Sequence, residues 1–189
     1  MRISKVYTKF GDKGKTMLVG GETVLKSSEK VASYGDIDEL NSIIGLSMTG
    51  GISKDVKKIL SLIQNDLFII GADLASNKET KVPRIKKARI GWQEKNIDKY
   101  NSKVGPLEEF ILPSGSFTGS CLHLARTVCR RAERKIVKLG QEEWVNPNVM
   151  IYINRLSDLL FVLARDQNKL SNEGEIFVNF KNDWIKFWR

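Results

Sequence analysis

Apolar residues recur along most of this chain at intervals of three and four, the period of a helix with one buried side. From Glu29 to about Met48 the spacing is carried by Leu40, Ile43, Ile44 and Ser47. Ser53 stands as a cap before a second run, Val56, Ile59, Leu60, Ile63, Leu67, Ile70 and Leu74. Residues 76–90 are basic and include Pro83, which predicts a loop. A shorter third helix is predicted from Trp92 to Lys103, with Ile97 and Tyr100 inward. Pro106, Pro113 and Gly115 then break the pattern between Gly105 and Ser116. A fourth helix carries Leu122, Ala125, Val128, Ala132, Ile136 and Leu139. Asn146-Pro147 sets a capping side chain before a proline at the first helical position, and Val149, Ile153, Leu156, Leu160 and Leu163 follow on a fifth. No segment reads convincingly as a strand. The expectation is all-α: an antiparallel five-helix bundle behind a Gly-rich N-terminal loop, in a single domain. Residues 1–28 form the N-terminal segment, 29–170 the bundle and 171–189 a tail, aromatic and basic from Ile176 to Arg189, that suits docking on the bundle or on a neighbour.

Composition supports this class and narrows the chemistry. The chain has 189 residues, 41% hydrophobic and 28% charged, enough for a core without staples and too apolar for long disorder. No apolar run approaches the ~20 residues that cross a bilayer. Met1 to Asp12 lacks a signal-like apolar core and does not read as an Arg-rich transit peptide. A cytoplasmic location without a membrane partner is expected. Cys121 and Cys129, if on one helix, lie about 12 Å apart along its axis, too far for a disulfide. Both are expected as reduced, packed thiols. His123 is the single histidine, which excludes a cage or a dyad built on two histidines and predicts a packing or surface role. No protein-held metal site is predicted. The net charge of +9 and pI near 9.5 favour polyanionic partners, leaving nucleic acid, membrane surface and nucleotide triphosphate open.

Four constellations could carry chemistry. In Tyr7-Thr8-Lys9-Phe10-Gly11-Asp12-Lys13-Gly14-Lys15-Thr16, glycines allow tight turns with N–H groups aimed at an anion, and lysines neutralise phosphate. The ending resembles a Walker A loop, but that motif's first glycine would fall on Lys9, so a plain surface turn remains open. Arg126, Arg130 and Arg134 stack on one helix face and need anions opposite: a solvated face answered by Glu133, a nucleic-acid stripe or a triphosphate clamp. Asn154 and Asp158 share a face, where the amide could read an adenine edge or a ribose hydroxyl, or join two helices. Asp38 and Asn41 share a face of the first helix, placed to meet the arginine stripe or its counterpart in another subunit, or simply to face solvent.

Taken together and in order, these blocks become specific. Lys9-x-Gly-Asp-x-Gly, Tyr34-Gly-x-x-Asp-Glu-Leu-Asn41, Phe110-Ile-Leu-Pro113, Arg130-Arg-Ala-Glu-Arg134 and Asn154-Arg-Leu-Ser-Asp158 closely resemble the PduO-type family of ATP:corrinoid adenosyltransferases, over roughly residues 5–166. The resemblance implies a ferritin-like, cobalamin adenosyltransferase-like bundle, assembled as a homotrimer with ATP and cobalamin meeting at subunit interfaces. It implies that Thr8, Lys9, Phe10, Gly11, Thr16 and Met17 form the nucleotide loop, with Lys26 reaching the phosphates. Arg130, Arg131, Ala132, Glu133 and Arg134 would form the clamp, and Asn154 would contact the nucleotide. Arg126 would pair across the interface with a helix-one carboxylate, Asp38 in preference to Asp36. Phe110 matches an aromatic that displaces the lower axial ligand of cobalamin.

The implied reaction transfers the 5′-deoxyadenosyl group of ATP to the cobalt of cob(I)alamin or a related corrinoid and releases triphosphate. Cobalt(I) is itself the nucleophile, so a chain with one histidine and no catalytic dyad suits the chemistry. The protein's part is orientation and stabilisation of charge on the leaving group, work that arginines on a rigid helix perform well. Mg2+ held mostly by phosphate and water is expected. A flavin-type reductase and a B12-dependent enzyme are the implied protein partners, and no nucleic acid. Lys30 stands where the family usually has arginine, and Ser114 where glycine is common. Phe10 and Met17 replace smaller or polar loop residues, and Met17 can offer only its backbone.

Overall fold

The computed structural model describes residues 7–180. Five α-helices form: α1 (Glu29–Ser47), α2 (Lys54–Leu74), α3 (Lys87–Val104), α4 (Phe117–Glu142) and α5 (Pro147–Leu170). α4 packs on α1 and α5, α3 on α5, and α2 on α1. The short links 48–53 and 143–146 reverse the chain and make their helices antiparallel neighbours. Four helices begin on a side-chain cap. Ser28 accepts from the Val31 amide, Ser53 from Val56, Ser116 from Gly119 and Asn146 from Asn148. Each such cap satisfies an otherwise orphaned N–H and stabilises by about 1 kcal/mol.

One continuous apolar cluster fills the interior. Leu40, Ile44, Leu60, Ile63, Leu122, Ile136, Ile153 and Leu160 are all fully buried in it. Polar groups inside it are mostly paired. Tyr152 donates to Asp66 Oδ2 at 3.1 Å, and Arg89 lies 3.3 Å from Asp66 Oδ1. Burial outweighs this help and raises the Asp66 pKa. Asn41 and Gln64 exchange side-chain-to-backbone hydrogen bonds, 3.4 and 3.1 Å, and lock α1 to α2.

Two expectations are corrected. The N-terminal segment is not strandless: β1 (Lys15–Met17) and β2 (Thr23–Leu25) form an antiparallel hairpin with Thr16 opposite Val24. Three-residue strands give too short an alternation to stand out, and only Leu18 beside them is buried. The third helix begins at Lys87, five residues before Trp92, inside the stretch read as a loop. Its start carries no side-chain cap, and Lys86, Lys87 and Arg89 hide the apolar spacing that Ile85 and Ile90 supply to the core. The tail reaches the bundle through backbone bonds from Leu112 to Ile176 and from Val178 to Phe110. Residues 181–189, part of the same expectation, lie outside the described residues, as do Met1 to Val6.

Candidate active site

The arginine helix and its neighbour α5 build a pocket of about 420 Å³, lined by Leu107, Phe110, Arg126, Arg130, Asp158 and Phe161 among others. Its walls are of two kinds. Leu107, Phe110, Ile111, Phe161 and Val162 give an apolar side, while Arg126 and Arg130 project cationic groups from α4. Phe110 sits on the 105–116 loop with 74% of its surface exposed, and its ring meets Phe180 edge-on, centroids 6.5 Å apart.

Arg126 is half-buried, its guanidinium 5.9 Å from the Phe161 ring centre. Its Nε is buried and makes no hydrogen bond. Desolvation, and then the positive charge of Arg130, lower its pKa. No ion pair with a described residue reaches it, although the carboxylate of Asp158 lines the same pocket. Below it, His123 packs tilted on Phe161 at 6.0 Å, 2% exposed, with both ring nitrogens unpaired. Burial, aided by Arg126, pushes its pKa down to about 4, so it is a neutral packing residue. Cys121 and Cys129 are free, buried thiols, and desolvation raises both pKa values.

The rest of the arginine block divides between surfaces. Arg130 and Arg134 are exposed and stacked, with Arg134 Nη1 donating to the Arg130 carbonyl at 3.1 Å. Arg131 turns to α1, donating to Asp36 at 3.2 Å and to Glu39; the Glu39 hydrogen bond is the largest cause of its raised pKa. Ala132 is fully buried. Glu133 accepts from Asn154 Nδ2 at 2.8 Å, so Asn154 joins α5 to α4 here.

The N-terminal residues lie elsewhere. A 3-10 turn, Phe10–Lys13, is bounded by Lys9 and Gly14 in the left-handed conformation, at φ 60° and 73°. Thr8, Phe10 and Met17 are exposed, while Gly11 and Thr16 are partly covered. The missing Cβ of Gly11 makes room for Lys26, whose Nζ would lie 2.8 Å from it, and the Lys26 amide donates to the Gly14 carbonyl at 2.8 Å. Val19 donates to the Ala75 carbonyl at 3.1 Å and helps line a second cavity, about 410 Å³, between α1 and α2. Tyr34, Asp38, Asn41, Phe68 and Ala72 are among the residues of its wall. Asp36 is engaged within the chain by Arg131 and by Lys135 at 3.5 Å, whereas the Asp38 carboxylate is exposed and bonds no described residue. No hydrogen bond or ion pair between described residues joins Thr8–Lys26 to Arg126, Arg130 or Arg134. One chain thus brings Phe110, Arg126 and Arg130 together, and holds the hairpin and Asp38 on a different face.

Sequence reasoning overlooked Phe161. Its signal was present: Asp158, Phe161, Arg165 and Asn168 follow Asn154 at helical intervals on one side of α5.

The sequence profile of the family Cobalamin adenosyltransferase matches residues 6–167. The chain belongs to that family. It is 45% identical over 176 residues to the corrinoid adenosyltransferase of Bacillus subtilis (strain 168), covering 91% of each chain. It is 39% identical to the human corrinoid adenosyltransferase MMAB, over 96% of this chain and 76% of the human one. Among solved structures, a PduO-type ATP:corrinoid adenosyltransferase from Lactobacillus reuteri, a phenylalanine-to-alanine variant complexed with cobalamin and ATP, superposes at TM-score 0.88. That relative is 39% identical, with 93% of this chain and 99% of the other covered. The family's five-helix bundle is therefore this chain's fold.

Proposed function

We propose that this adenosyltransferase transfers the 5′-deoxyadenosyl group of ATP to the cobalt of a reduced corrinoid, at a site completed by two copies of the chain. Cobalt(I) attacks C5′ with its electron pair, the cobalt–carbon bond forms, the C5′–O bond breaks, and triphosphate leaves with the bonding electrons. Arg130, Arg134 and the glycine hairpin hold the phosphates, and the guanidinium groups stabilise the charge that grows on the departing oxygen. Asn154 contacts the nucleotide. Phe110 occupies the lower face of the corrin and excludes the axial ligand, leaving cobalt(II) four-coordinate and easier to reduce.

The observation that carries this reading is the pocket where Phe110 and Phe161 face Arg126 and Arg130. An apolar wall beside fixed cations suits a flat macrocycle next to a polyphosphate. The two-copy site is supported by complementary vacancies, an unpaired buried Nε on Arg126 and an unpaired carboxylate on Asp38. A closed trimer that sets one against the other satisfies both, with Phe68, 74% exposed, covered in the same step.

Among the described residues no group of three or more His, Cys, Asp or Glu side chains could hold a metal ion. Mg2+ would be ligated by phosphate oxygens and water, and no step here is routed through it. Among the described residues no helix is long and apolar enough to cross a membrane. We place the enzyme in the cytoplasm, receiving electrons from a flavin-type reductase and passing product to a B12-dependent enzyme.

The test is anaerobic incubation of the protein with ATP and chemically reduced cobalamin, followed by absorption spectroscopy. The cobalt–carbon product is expected to appear with one triphosphate per adenosylcobalamin. ATP binding without that product would overturn the assignment.

A further inference from the structure

The loop that carries Phe110 is pinned at both ends to one helix face. At its start, Arg165 of α5 donates from Nη1 to the Gly105 carbonyl at 3.2 Å. At its end, Asn168 Oδ1 accepts from the Ser116 amide at 3.0 Å and the Ser116 hydroxyl at 2.9 Å, and Nδ2 donates to the Ser114 carbonyl at 2.8 Å. Both side chains come from buried residues, each 3% exposed. Their spacing of three stacks them on the same side of α5, one turn beyond Phe161, whose ring lies 6.0 Å from the Arg165 guanidinium.

The surroundings are shaped for these contacts. Gly115 adopts φ 114°, and a Cβ on it or on Gly119 would overlap the Asn168 amide. Arg165 also binds both oxygens of Glu175, which fixes the returning tail as it pairs with Phe110 and Leu112.

We infer that Arg165 and Asn168 are positioning residues for adenosyl transfer: from one face of α5 they anchor the 105–116 loop so that Phe110 stands opposite Phe161 before the corrin arrives. The inference rests on the reading of Phe110 given above. Ordering a loop costs conformational entropy at every residue it fixes. Anchoring it during folding removes that cost from the binding step. The amide of Asn168 is suited to the task because it accepts and donates at once. A carboxylate could not donate to Ser114, and a methyl group could do neither.

Steady-state kinetics on the full chain, varying cob(I)alamin and ATP separately, test this together with the spectrum of cob(II)alamin bound in the presence of ATP. Asn168→Ala is expected to raise the KM for cobalamin about tenfold to a hundredfold while the KM for ATP moves less than about twofold. It should also lower the four-coordinate fraction in the spectrum, with Asn168→Asp intermediate. Arg165→Lys keeps the charge but loses the planar fork; it should shift both readouts the same way, and serves if Asn168→Ala fails to fold. A fall in turnover with both KM values unchanged, or a parallel rise in both, would assign these residues to stability alone and overturn the inference. Phe110→Ala separates the layers. If it changes the spectrum and the α5 variants do not, the anchoring fails; if it is silent, the reading of Phe110 fails and the anchoring with it.

Discussion

The α4–α5 and α1–α2 cavities are close in size and differ in character. The α4–α5 pocket, about 420 Å³, holds guanidinium groups against aromatic rings. The α1–α2 groove, about 410 Å³, holds a carboxylate among Tyr34, Phe68 and small residues, with the glycine hairpin at its edge. Aromatic rings line both, but the guanidinium groups stand only on the α4–α5 side, beside the single carboxylate of Asp158. Asp36 and Asp38 show how that difference arises. Two residues apart on α1, they point about 200° apart around the helix, so Asp36 meets Arg131 and Lys135 in its own chain while Asp38 is left open. A charge left unpaired at an apolar groove is costly to cover unless its counterpart arrives with the cover. The proposed two-copy site sets these unlike faces against each other.

The largest expected effect concerns the cationic side. Arg130→Ala should lower kcat about 10²- to 10³-fold, the usual cost of removing one preorganised charge from the leaving group, with far-ultraviolet circular dichroism unchanged. Wild-type turnover in that variant would break the contrast between the faces. Complementation sharpens it further. Arg130→Ala and Lys26→Ala proteins, each nearly inactive, should regain roughly a quarter of wild-type sites after subunit exchange, because some interfaces then pair two intact faces. No recovery on mixing would place the whole site within one chain.

A smaller effect belongs to His123, which packs against the pocket residue Phe161. The folded pKa of His123 lies near 4 against an ordinary value of 6.5, so the unfolded chain binds more protons between those limits. Its contribution to stability is present above pH 6.5 and is lost as pH falls toward 4, on the order of 3 kcal/mol. His123→Phe should flatten the melting temperature across that window, and an unchanged pH profile would contradict the burial argument. The smallest effect belongs to the hairpin. Gly11→Ala places a methyl against the Lys26 ammonium and should raise the KM for ATP by a few-fold at most, because a flexible lysine can yield. A loss as large as that of Arg130→Ala would mean that the hairpin is as rigid as the helix.

Much of the bundle was legible because its signals are local. Ser53 and Asn146 cap the helices they announce, and Ile63, Leu67 and Ile70 fall inward as their spacing requires. The start of α3 was not legible, since a helix without a cap begins wherever its packing partner does. The hairpin was missed because three residues are too few to establish a period of two. Within the arginine block, the intervals of four gave the face shared by Arg126, Arg130 and Arg134. The turn of Arg131 toward Asp36 and Glu39 depends on where α1 lies, and no spacing along α4 contains that.

The amino-acid order alone therefore determined the helix count and the family and nominated the residues of the candidate site, because periodicity, caps and motif blocks act over a few turns of one segment. Tertiary packing decided which carboxylate is already paired, that Phe161 shares a pocket with Phe110, and that α5 holds the loop that carries Phe110. Those facts depend on the distance between segments far apart in the chain, which is set when the helices pack and not before.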